Sequence, residues 1–174
     1  QIDAIEVARV VDRGIRESGF IDWKKLCIKK GEKVWSILID IYFINDDGNV
    51  IDASALGTIV ALKSAVFPVY DKKNEVVKFG EMTKDPLPLT EKLPLTMTFF
   101  KIGDNLVFDP NREEEDSSDA RLTLSISQPK KEKIINSMQK GGIFPITIQE
   151  IDNIIEESEK IYDRLFPFLE EKVK

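Results

Sequence analysis

Apolar and charged positions alternate at helical spacing over residues 1–17. Four apolar residues lie near one face of this segment, namely Ile2, Ile5, Val11 and Ile15. Three arginines lie on another face, at Arg9, Arg13 and Arg16. Apolar residues that recur every three or four positions mark the buried side of a helix. The pattern predicts an amphipathic helix over residues 1–17 that ends near Ser18, because Gly19 follows.

Residues 33–44 are β-branched and aromatic with little alternation, which is typical of a strand buried on both faces. The polar residues 45–49 predict a hairpin turn, after which Val50 and Ile51 start a short return strand. Asp52 is expected to be the N-cap of a helix over residues 53–67. Pro68 is expected to end that helix.

Strand patterns dominate the second half of the chain. Strands are predicted over residues 95–102, 106–109, 120–128 and 132–140, with a turn at 103–105 and an acidic turn at 112–119. Gly141 and Gly142 break the pattern. Thr147 and Glu150 have the spacing of a capping box. A closing helix is expected to begin there and to run to about Phe166, where Pro167 disturbs it.

The order of these elements predicts an α+β fold without repeats. Residues 69–93 are expected to form a hairpin and a crossover between two lobes, at residues 1–68 and 94–174. The chain has 174 residues, of which 42% are hydrophobic, enough for one large domain or two small ones.

The charge balance limits the function classes. Lysine and arginine number 25 against 31 acidic residues, so the net charge is −6 and the pI is near 4.9. This balance argues against indiscriminate nucleic-acid binding, which needs a broad basic surface, but leaves room for a small basic site within an assembly. The lack of histidine excludes histidine-based general-base chemistry and removes the commonest metal ligand.

The single cysteine, Cys27, is predicted to be a buried apolar position rather than a nucleophile, and it cannot form an internal disulfide. No run approaches the roughly 20 apolar residues that cross a bilayer, and no signal peptide is visible. A cytoplasmic location without membrane contact is therefore expected. The chain opens at Gln1, inside a helical pattern. A processed start or a missing N-terminal part would explain this, and we favour the second.

The arginine stripe allows two interpretations. Arginine presents a rigid fork of donors suited to phosphate, so the stripe could grip a nucleic-acid backbone. Alternatively, Glu6–Arg9 and Asp12–Arg16 are ordinary ion pairs on a solvated helix face, which is the simpler interpretation of the spacing alone. Gly14 favours the first interpretation a little, since glycine inside a helix costs about 1 kcal/mol. A close approach by another backbone or a ligand would explain it.

A second charged feature is the acidic run over residues 109–119. Its carboxylates could hold Mg²⁺, but they are contiguous and lack the spacing of a calcium loop, so a solvated helical turn is expected. Residues 80–89 and 141–142 lack the lysine and hydroxyl of a phosphate-cradling loop. We therefore expect no metal site and no cofactor. Composition and spacing alone identify only an α+β domain with an arginine-bearing helix.

Several segments resemble one family. Residues 6–16, Glu-Val-Ala-Arg-Val-Val-Asp-Arg-Gly-Ile-Arg, resemble the arginine helix of the RNase PH family. Within them, Ala-Arg-Val-Val-Asp-Arg resembles the non-catalytic RNase PH-like subunit of the archaeal exosome. Further stretches agree with that subunit in collinear order, at residues 31–35, 42–56, 86–88, 101–115, 119–122 and 137–142. The resemblance covers nearly the whole chain.

This resemblance implies an RNase PH-like fold, with two lobes of mixed sheet packed with helices and the first lobe incomplete. The chain would supply only the latter part of such a subunit. The implied partners are a catalytic RNase PH-like exosome subunit, in a hetero-hexameric ring of three heterodimers, and RNA-binding cap subunits. Single-stranded RNA would thread through the ring and be shortened from its 3′ end by inorganic phosphate.

The resemblance also implies residue roles. Arg9 and Arg13 match the two helix arginines that contact RNA phosphates beside the partner's active site. Arg16 matches a third arginine, whose role is either RNA contact or structural. The positions of the two catalytic aspartates hold Pro86 and Lys92, which can neither bind a metal ion nor act as a base. We therefore expect a catalytically silent subunit.

Two alternatives stay open. The chain could be a self-sufficient RNase PH-type phosphorolytic exoribonuclease, although Pro86 and Lys92 argue against this. It could instead be a structural scaffold, whose arginines pair with acids of a neighbouring subunit and whose apolar strands, such as 95–102, close a ring by edge pairing.

Overall fold

A four-stranded antiparallel sheet with helices on both faces forms the centre of the computed structural model, which describes residues 4–172. The elements are α1 (Ala4–Ser18), a 3₁₀ turn (Trp23–Leu26), β1 (Cys27–Lys29), β2 (Lys33–Val34), α2 (Val50–Ser64), β3 (Val66–Asp71), β4 (Val76–Pro86), β5 (Leu95–Ile102), β6 (Asn105–Phe108), α3 (Arg112–Asp116), β7 (Ala120–Ser127), β8 (Ile134–Gly142) and α4 (Ile148–Lys172). The start of the first predicted helix, including Ile2, lies outside these residues.

The central sheet has the order β6-β5-β7-β8, and every neighbouring pair is antiparallel. All four of its strands were predicted within two residues of their observed ends. Residues 95–102 occupy the interior position β5, which pairs with β7 over residues 95–101 and with β6 over residues 99–102. Its second half is therefore closed to edge pairing with another subunit. The strand β8 does not break at the glycines, because Gly141 and Gly142 pair with Arg121 and Ala120.

Side chains on opposite faces of the sheet contact different helices. On one face, Thr96 lies against Gly14 of α1 and Thr98 binds Asp52 of α2. On the other face, Phe99 lines a cavity with Ile154 of α4. This alternation follows from the two-residue period of a strand. It places α1 and α2 together on one side of the sheet and α4 on the other.

The helix α2 begins earlier than predicted. Helix starts at Val50, so the predicted return strand and the hairpin turn before it are wrong, and Asn49, with φ of 49°, precedes the first turn. Gly48 has φ of +95°, and a Cβ there would lie 2.5 Å from the carbonyl oxygen of Pro110. The chain therefore enters α2 through a tight contact that only glycine allows. Asp52 lies inside the first turn instead of capping it.

The same helix also ends earlier than predicted. Its last residue is Ser64, and Pro68 lies in the middle of the following strand, β3. This strand belongs to a two-stranded sheet and so has an unpaired edge, where a residue without an N–H is tolerated. Residues 66–86 form the predicted hairpin. The division of the chain into lobes at residues 68 and 94 remains a prediction.

Residues 35–44 do not form the predicted strand. Only Lys33–Val34 is strand, and the segment that follows has no regular secondary structure and is largely exposed from Leu38 to Ile44. A strand is stable only when neighbouring strands satisfy its backbone and cover its side chains. Among residues 4–172 this segment has no such neighbours. The apolar pattern thus identified a segment suited to burial, while the burial itself is missing here.

Cys27 is exposed, contrary to its predicted burial. The preceding residue, Leu26, ends the 3₁₀ turn and is buried in the core. Within β1, Ile28 is half-buried, whereas Cys27 and Lys29 lie on the exposed side of the strand. The apolar neighbours of Cys27 therefore correctly indicated a nearby core, but the side chain of Cys27 is on the opposite side of the backbone.

The closing helix α4 begins with the predicted capping box. The Thr147 hydroxyl accepts a hydrogen bond from the Glu150 backbone at 3.2 Å, while the Glu150 carboxylate accepts one from the Thr147 backbone at 2.7 Å. The hydrogen-bonded Lys101 ammonium and the Thr147 donors lower the pKa of Glu150 to about 2. Contrary to prediction, the helix continues past Pro167 to Lys172. The next turn is held by burial of Leu169 and by an ion pair from Glu170 to Lys63.

Candidate nucleic-acid interface

The helix α1 presents its arginines on the side opposite its packed face. Its buried residues are Val7, Val10, Val11, Gly14, Ile15 and Ser18. Arg9, Arg13 and Arg16 are all exposed, as their helical spacing predicts. Ile5 was assigned to the apolar face but is 68% exposed, because the buried stripe runs through Val7 and Val10. The amphipathic pattern was correct, and its first turn was misplaced.

The close packing of α1 against the central sheet depends on a glycine. A Cβ at Gly14 would lie 3.1 Å from the Ser125 hydroxyl oxygen and 3.3 Å from that of Thr96. Both neighbours belong to interior strands of the sheet. The close approach expected at Gly14 is thus made by side chains of this same chain. It brings the axis of α1 near the sheet and leaves the opposite side of the helix in solvent.

The ion pairs of α1 differ in part from those predicted. Asp12 and Arg16 form the expected pair at 2.6 Å, with both side chains more than half exposed. Glu6 does not pair with Arg9 but with Arg121 of β7. Within residues 4–172, the side chains of Arg9 and Arg13 have no carboxylate partner. Two guanidinium groups, one helical turn apart, therefore face solvent with their donors unused.

Arg121 is a charged residue that sequence reasoning did not single out as functional. Its side chain is 8% exposed, and its guanidinium also donates to the Thr123 hydroxyl at 3.3 Å. A Cβ at Gly141 would lie within 2.9 Å of three guanidinium atoms, so the absence of a side chain there makes room for Arg121. The available signal was an arginine inside the apolar strand Ala120–Ser127, where a charge requires a partner.

The two positions assigned to catalytic aspartates hold a proline and a lysine, which lie in different surroundings. Pro86 ends β4, opposite Val66, and is exposed. Lys92 is exposed, and its ammonium would lie 3.8 Å from a Cβ at Gly19, at the C-terminal end of α1. A cation is favoured there by the helix dipole. Lys92 thus lies at a helix end where a carboxylate would be disfavoured.

The acidic run forms a capped helical turn, as predicted. Asn111 and Glu114 form a reciprocal capping box at the start of α3, and Arg112 bridges Asp116 and Asp46. Glu115 is buried and accepts a hydrogen bond from the Asn49 backbone at 2.7 Å. Each of these groups already has a partner within the protein.

Residues 4–172 offer neither a metal site nor a membrane-spanning helix. They contain no cluster of three or more acidic or cysteine side chains arranged to hold a metal ion. They also contain no helix with the length and apolar character of a membrane span.

Two family models match the chain in collinear order. Residues 1–68 match domain 1 of the 3′ exoribonuclease family, and residues 92–161 match domain 2 of the same family. Together these ranges include the arginine helix and the whole central sheet.

Curated relatives are archaeal proteins of one name. The exosome complex component Rrp42 of Methanocella arvoryzae is 44% identical over 153 residues, which cover 88% of this chain and 55% of the relative. The protein of that name from Pyrobaculum aerophilum is 42% identical over 173 residues, or 98% of this chain and 61% of the relative. The chain thus spans a little over half the length of these relatives.

Solved structures give the same result. One chain of the Archaeoglobus fulgidus exosome with RNA bound to the active site superposes with a TM-score of 0.78 at 36% identity, covering 95% of this chain and 62% of that chain. A chain of an archaeal exosome core superposes with a TM-score of 0.75 at 38% identity, covering 88% and 57% respectively. These matches agree with the predicted RNase PH-like fold of mixed sheet packed with helices. The chain therefore belongs to the 3′ exoribonuclease family and has the RNase PH-like fold.

Proposed function

We propose that this chain acts as a non-catalytic core subunit of an exosome, which binds RNA phosphates through Arg9 and Arg13 and supports the active site of a catalytic paralogue. The observation that carries the proposal is the pair of exposed guanidinium groups on α1, which have no carboxylate partner among residues 4–172. Guanidinium groups bind phosphate through two parallel hydrogen bonds. RNA is the expected ligand because similar chains bear the name of an exosome component or come from an exosome with RNA bound.

Catalytic silence is supported by the residues at the two aspartate positions. Lys92 is a cation and Pro86 has no ionisable group, so neither can hold a metal ion for attack by inorganic phosphate. A silent subunit can still increase the rate of cleavage, because fixed phosphate contacts hold the reactive end of the RNA in place.

The proposed assembly is a ring of three heterodimers with a catalytic RNase PH-like paralogue, to which RNA-binding cap subunits attach. Exposed apolar side chains on the edge strand β8, including Ile134, Ile135 and Met138, support contact with another protein. Location in the cytoplasm stays part of the proposal. With the arginines facing a shared channel, a net charge of −6 is compatible with RNA binding, because the outer surface can be acidic.

Reconstitution of the full-length subunit with its paralogue tests this proposal. The double variant Arg9→Glu plus Arg13→Glu should degrade single-stranded RNA more slowly, because each lost phosphate contact costs about 1–3 kcal/mol of affinity. The matched control is Lys130→Glu plus Lys131→Glu, which changes the charge equally on an exposed loop after β7. Equal rates for wild type and the arginine variant would contradict the RNA-contact role.

The two rival functions predict different products and contacts. A self-sufficient enzyme would release nucleoside diphosphates from RNA and phosphate without the paralogue. A pure scaffold would give no crosslinks from Arg9 or Arg13 to bound RNA, whereas the proposed function predicts them. Edge pairing in such a scaffold would have to use β6 or β8, since these strands are the edges of the central sheet.

A further inference from the structure

The charges on α1 do not by themselves favour phosphate binding. Its described residues include three arginines and three acids, namely Arg9, Arg13, Arg16, Glu6, Asp12 and Glu17. Glu6 lies three residues before Arg9, a spacing at which side chains on a helix meet and form ion pairs. If Glu6 bound Arg9, that guanidinium would present no free charge to a phosphate. The affinity of the helix for RNA therefore depends on which acids are already paired.

The structure resolves this competition in favour of Arg121. The half-exposed Glu6 side chain binds the Arg121 guanidinium of β7, and Asp12 binds Arg16. Glu17 makes no ion pair with Arg13 within residues 4–172. Two of the three acids of α1 are thus neutralised by arginines other than Arg9 and Arg13.

Burial explains why Glu6 pairs with Arg121 and not with Arg9. Its side chain is 8% exposed, and a buried guanidinium without a carboxylate would carry a large desolvation penalty. The exposed Arg9 has water as an alternative partner, so its pair with Glu6 would be weak. The absence of a side chain at Gly141 leaves the space that the Arg121 guanidinium occupies beside Glu6.

Other acids near Arg121 do not replace Glu6. Glu115, Asp116 and Asp119 line the same cavity of about 300 Å³. However, Glu115 accepts from the Asn49 backbone, and Asp119 accepts from the Gly103 backbone at 2.9 Å. Asp116 is paired with Arg112 at 3.0 Å.

We propose that Arg121 is a positioning residue for RNA binding: it withdraws Glu6 from Arg9 and so keeps the Arg9 guanidinium free for a phosphate. The inference rests on the proposed RNA-binding function. It assigns to a buried residue of the sheet the control of a charge on the surface of α1.

The test measures the affinity of the assembled full-length ring for a fluorescein-labelled oligoadenylate in phosphate-free buffer. Arg121→Gln releases Glu6 and should weaken binding about two- to fivefold, the effect of one exposed ion pair that competes with the ligand. Adding Glu6→Gln should restore wild-type affinity. In an Arg9→Gln background, Arg121→Gln should have no further effect, because the group that Glu6 would capture is gone.

Two further variants test whether the effect is specific to the Glu6–Arg121 pair and independent of misfolding. Lys101→Gln also frees a carboxylate, that of Glu150, but on the face of the sheet that contacts α4, and should leave RNA affinity unchanged. Gly141→Ala keeps every charge and pushes a methyl group into Arg121. If Arg121→Gln fails to fold, Gly141→Ala should still weaken binding, again with recovery on adding Glu6→Gln.

The outcomes separate the inference from the proposed function. If Arg9→Gln binds RNA as tightly as wild type, the proposed function is wrong and the inference falls with it. If Arg9→Gln binds more weakly, while the Arg121 and Gly141 variants bind normally or are not restored by Glu6→Gln, the inference alone is wrong.

Discussion

Arg13 and Arg16 are both exposed on α1, but only Arg16 has a carboxylate partner within the described chain. Sequence spacing predicted the Asp12–Arg16 pair and could not decide between RNA contact and a structural role for Arg16. The structure makes Arg16 the least available of the three arginines. An exposed pair contributes only about 0–1 kcal/mol, so Arg16 remains able to exchange Asp12 for a phosphate.

Asp52 provides a residue-scale prediction about pH. Its carboxylate accepts hydrogen bonds from the Thr98 backbone and hydroxyl at 2.8 and 2.7 Å, yet burial outweighs these bonds and raises its pKa from 3.8 to about 6. The folded state therefore holds more protons than the unfolded state in this window. The free energy of unfolding should fall by up to about 3 kcal/mol as pH rises from about 4 through 6.

Urea unfolding at several pH values between 4 and 7 measures this effect. Asp52→Asn cannot ionise, so its free energy of unfolding should lack that fall. Asp104→Asn, on the exposed turn after β5, is the control and should keep the wild-type profile. An unchanged pH profile in Asp52→Asn would show that another group causes the dependence.

Alanine substitutions at Gly14 and Gly57 together test how closely α1 packs against the central sheet. Both lie inside helices, where alanine is favoured over glycine by about 1 kcal/mol. Nothing lies within 4 Å of a Cβ at Gly57 among the described residues, whereas a Cβ at Gly14 meets Ser125 and Thr96. Gly57→Ala should raise the free energy of unfolding by about 0.5–1 kcal/mol, and Gly14→Ala should not. If urea unfolding shows equal increases in the free energy of unfolding for the two variants, α1 does not pack closely against Ser125 and Thr96.

At the scale of elements, strands were predicted well where their neighbours belong to the same chain. The strands predicted at residues 95–102 and 120–128 form the two interior strands of the central sheet, β5 and β7, so pattern and structure agree. Residues 35–44 have an equally apolar pattern, but no neighbouring strands among residues 4–172. A strand pattern states a preference for burial, and only the partners decide whether the strand forms.

Helix ends were predicted where side chains make the cap and missed where tertiary contacts set the boundary. Thr147 and Glu150 cap α4 as expected. The start of α2 is set by the contact of Gly48 with Pro110 and by Glu115, which binds the Asn49 backbone. These partners are distant in sequence, so local spacing pointed to Asp52 instead.

The α4 cap gives an element-scale prediction. Thr147→Ala removes the hydroxyl that accepts from the Glu150 backbone and should lower the free energy of unfolding by about 1 kcal/mol. Thr147→Ser keeps that hydroxyl and should be close to wild type. Thermal and urea unfolding of the three proteins measure the difference. If serine and alanine are equally destabilising, the threonine methyl group, and not the cap, matters.

For the whole molecule, the sequence predicted the α+β class, the central sheet and the exposed arginines, because each has a local or periodic signature. It did not predict the Glu6–Arg121 pair. Those residues lie 115 positions apart, and Glu6 has a nearer apparent partner in Arg9. The burial of Arg121 decides the pairing, and burial at that distance is a property of the fold.

The net charge of −6 is a property of the whole molecule that affects its attraction to RNA. Long-range attraction to RNA would be weak for the separate chain, since binding strength follows the number of phosphates neutralised at the contact. RNA binding by this protein should then depend on few contacts in one place. Such binding has a small but measurable dependence on salt.

Most directly, the central claim is tested by the salt dependence of RNA affinity in the assembled ring. Replacing Arg9 and Arg13 by glutamine should weaken oligoadenylate binding and reduce the slope of log affinity against log salt concentration by about 1.4, or about 0.7 for each single-strand phosphate contact. The Lys130→Gln plus Lys131→Gln control should keep the wild-type slope. An arginine variant with unchanged slope and affinity would contradict the assignment of Arg9 and Arg13 to RNA.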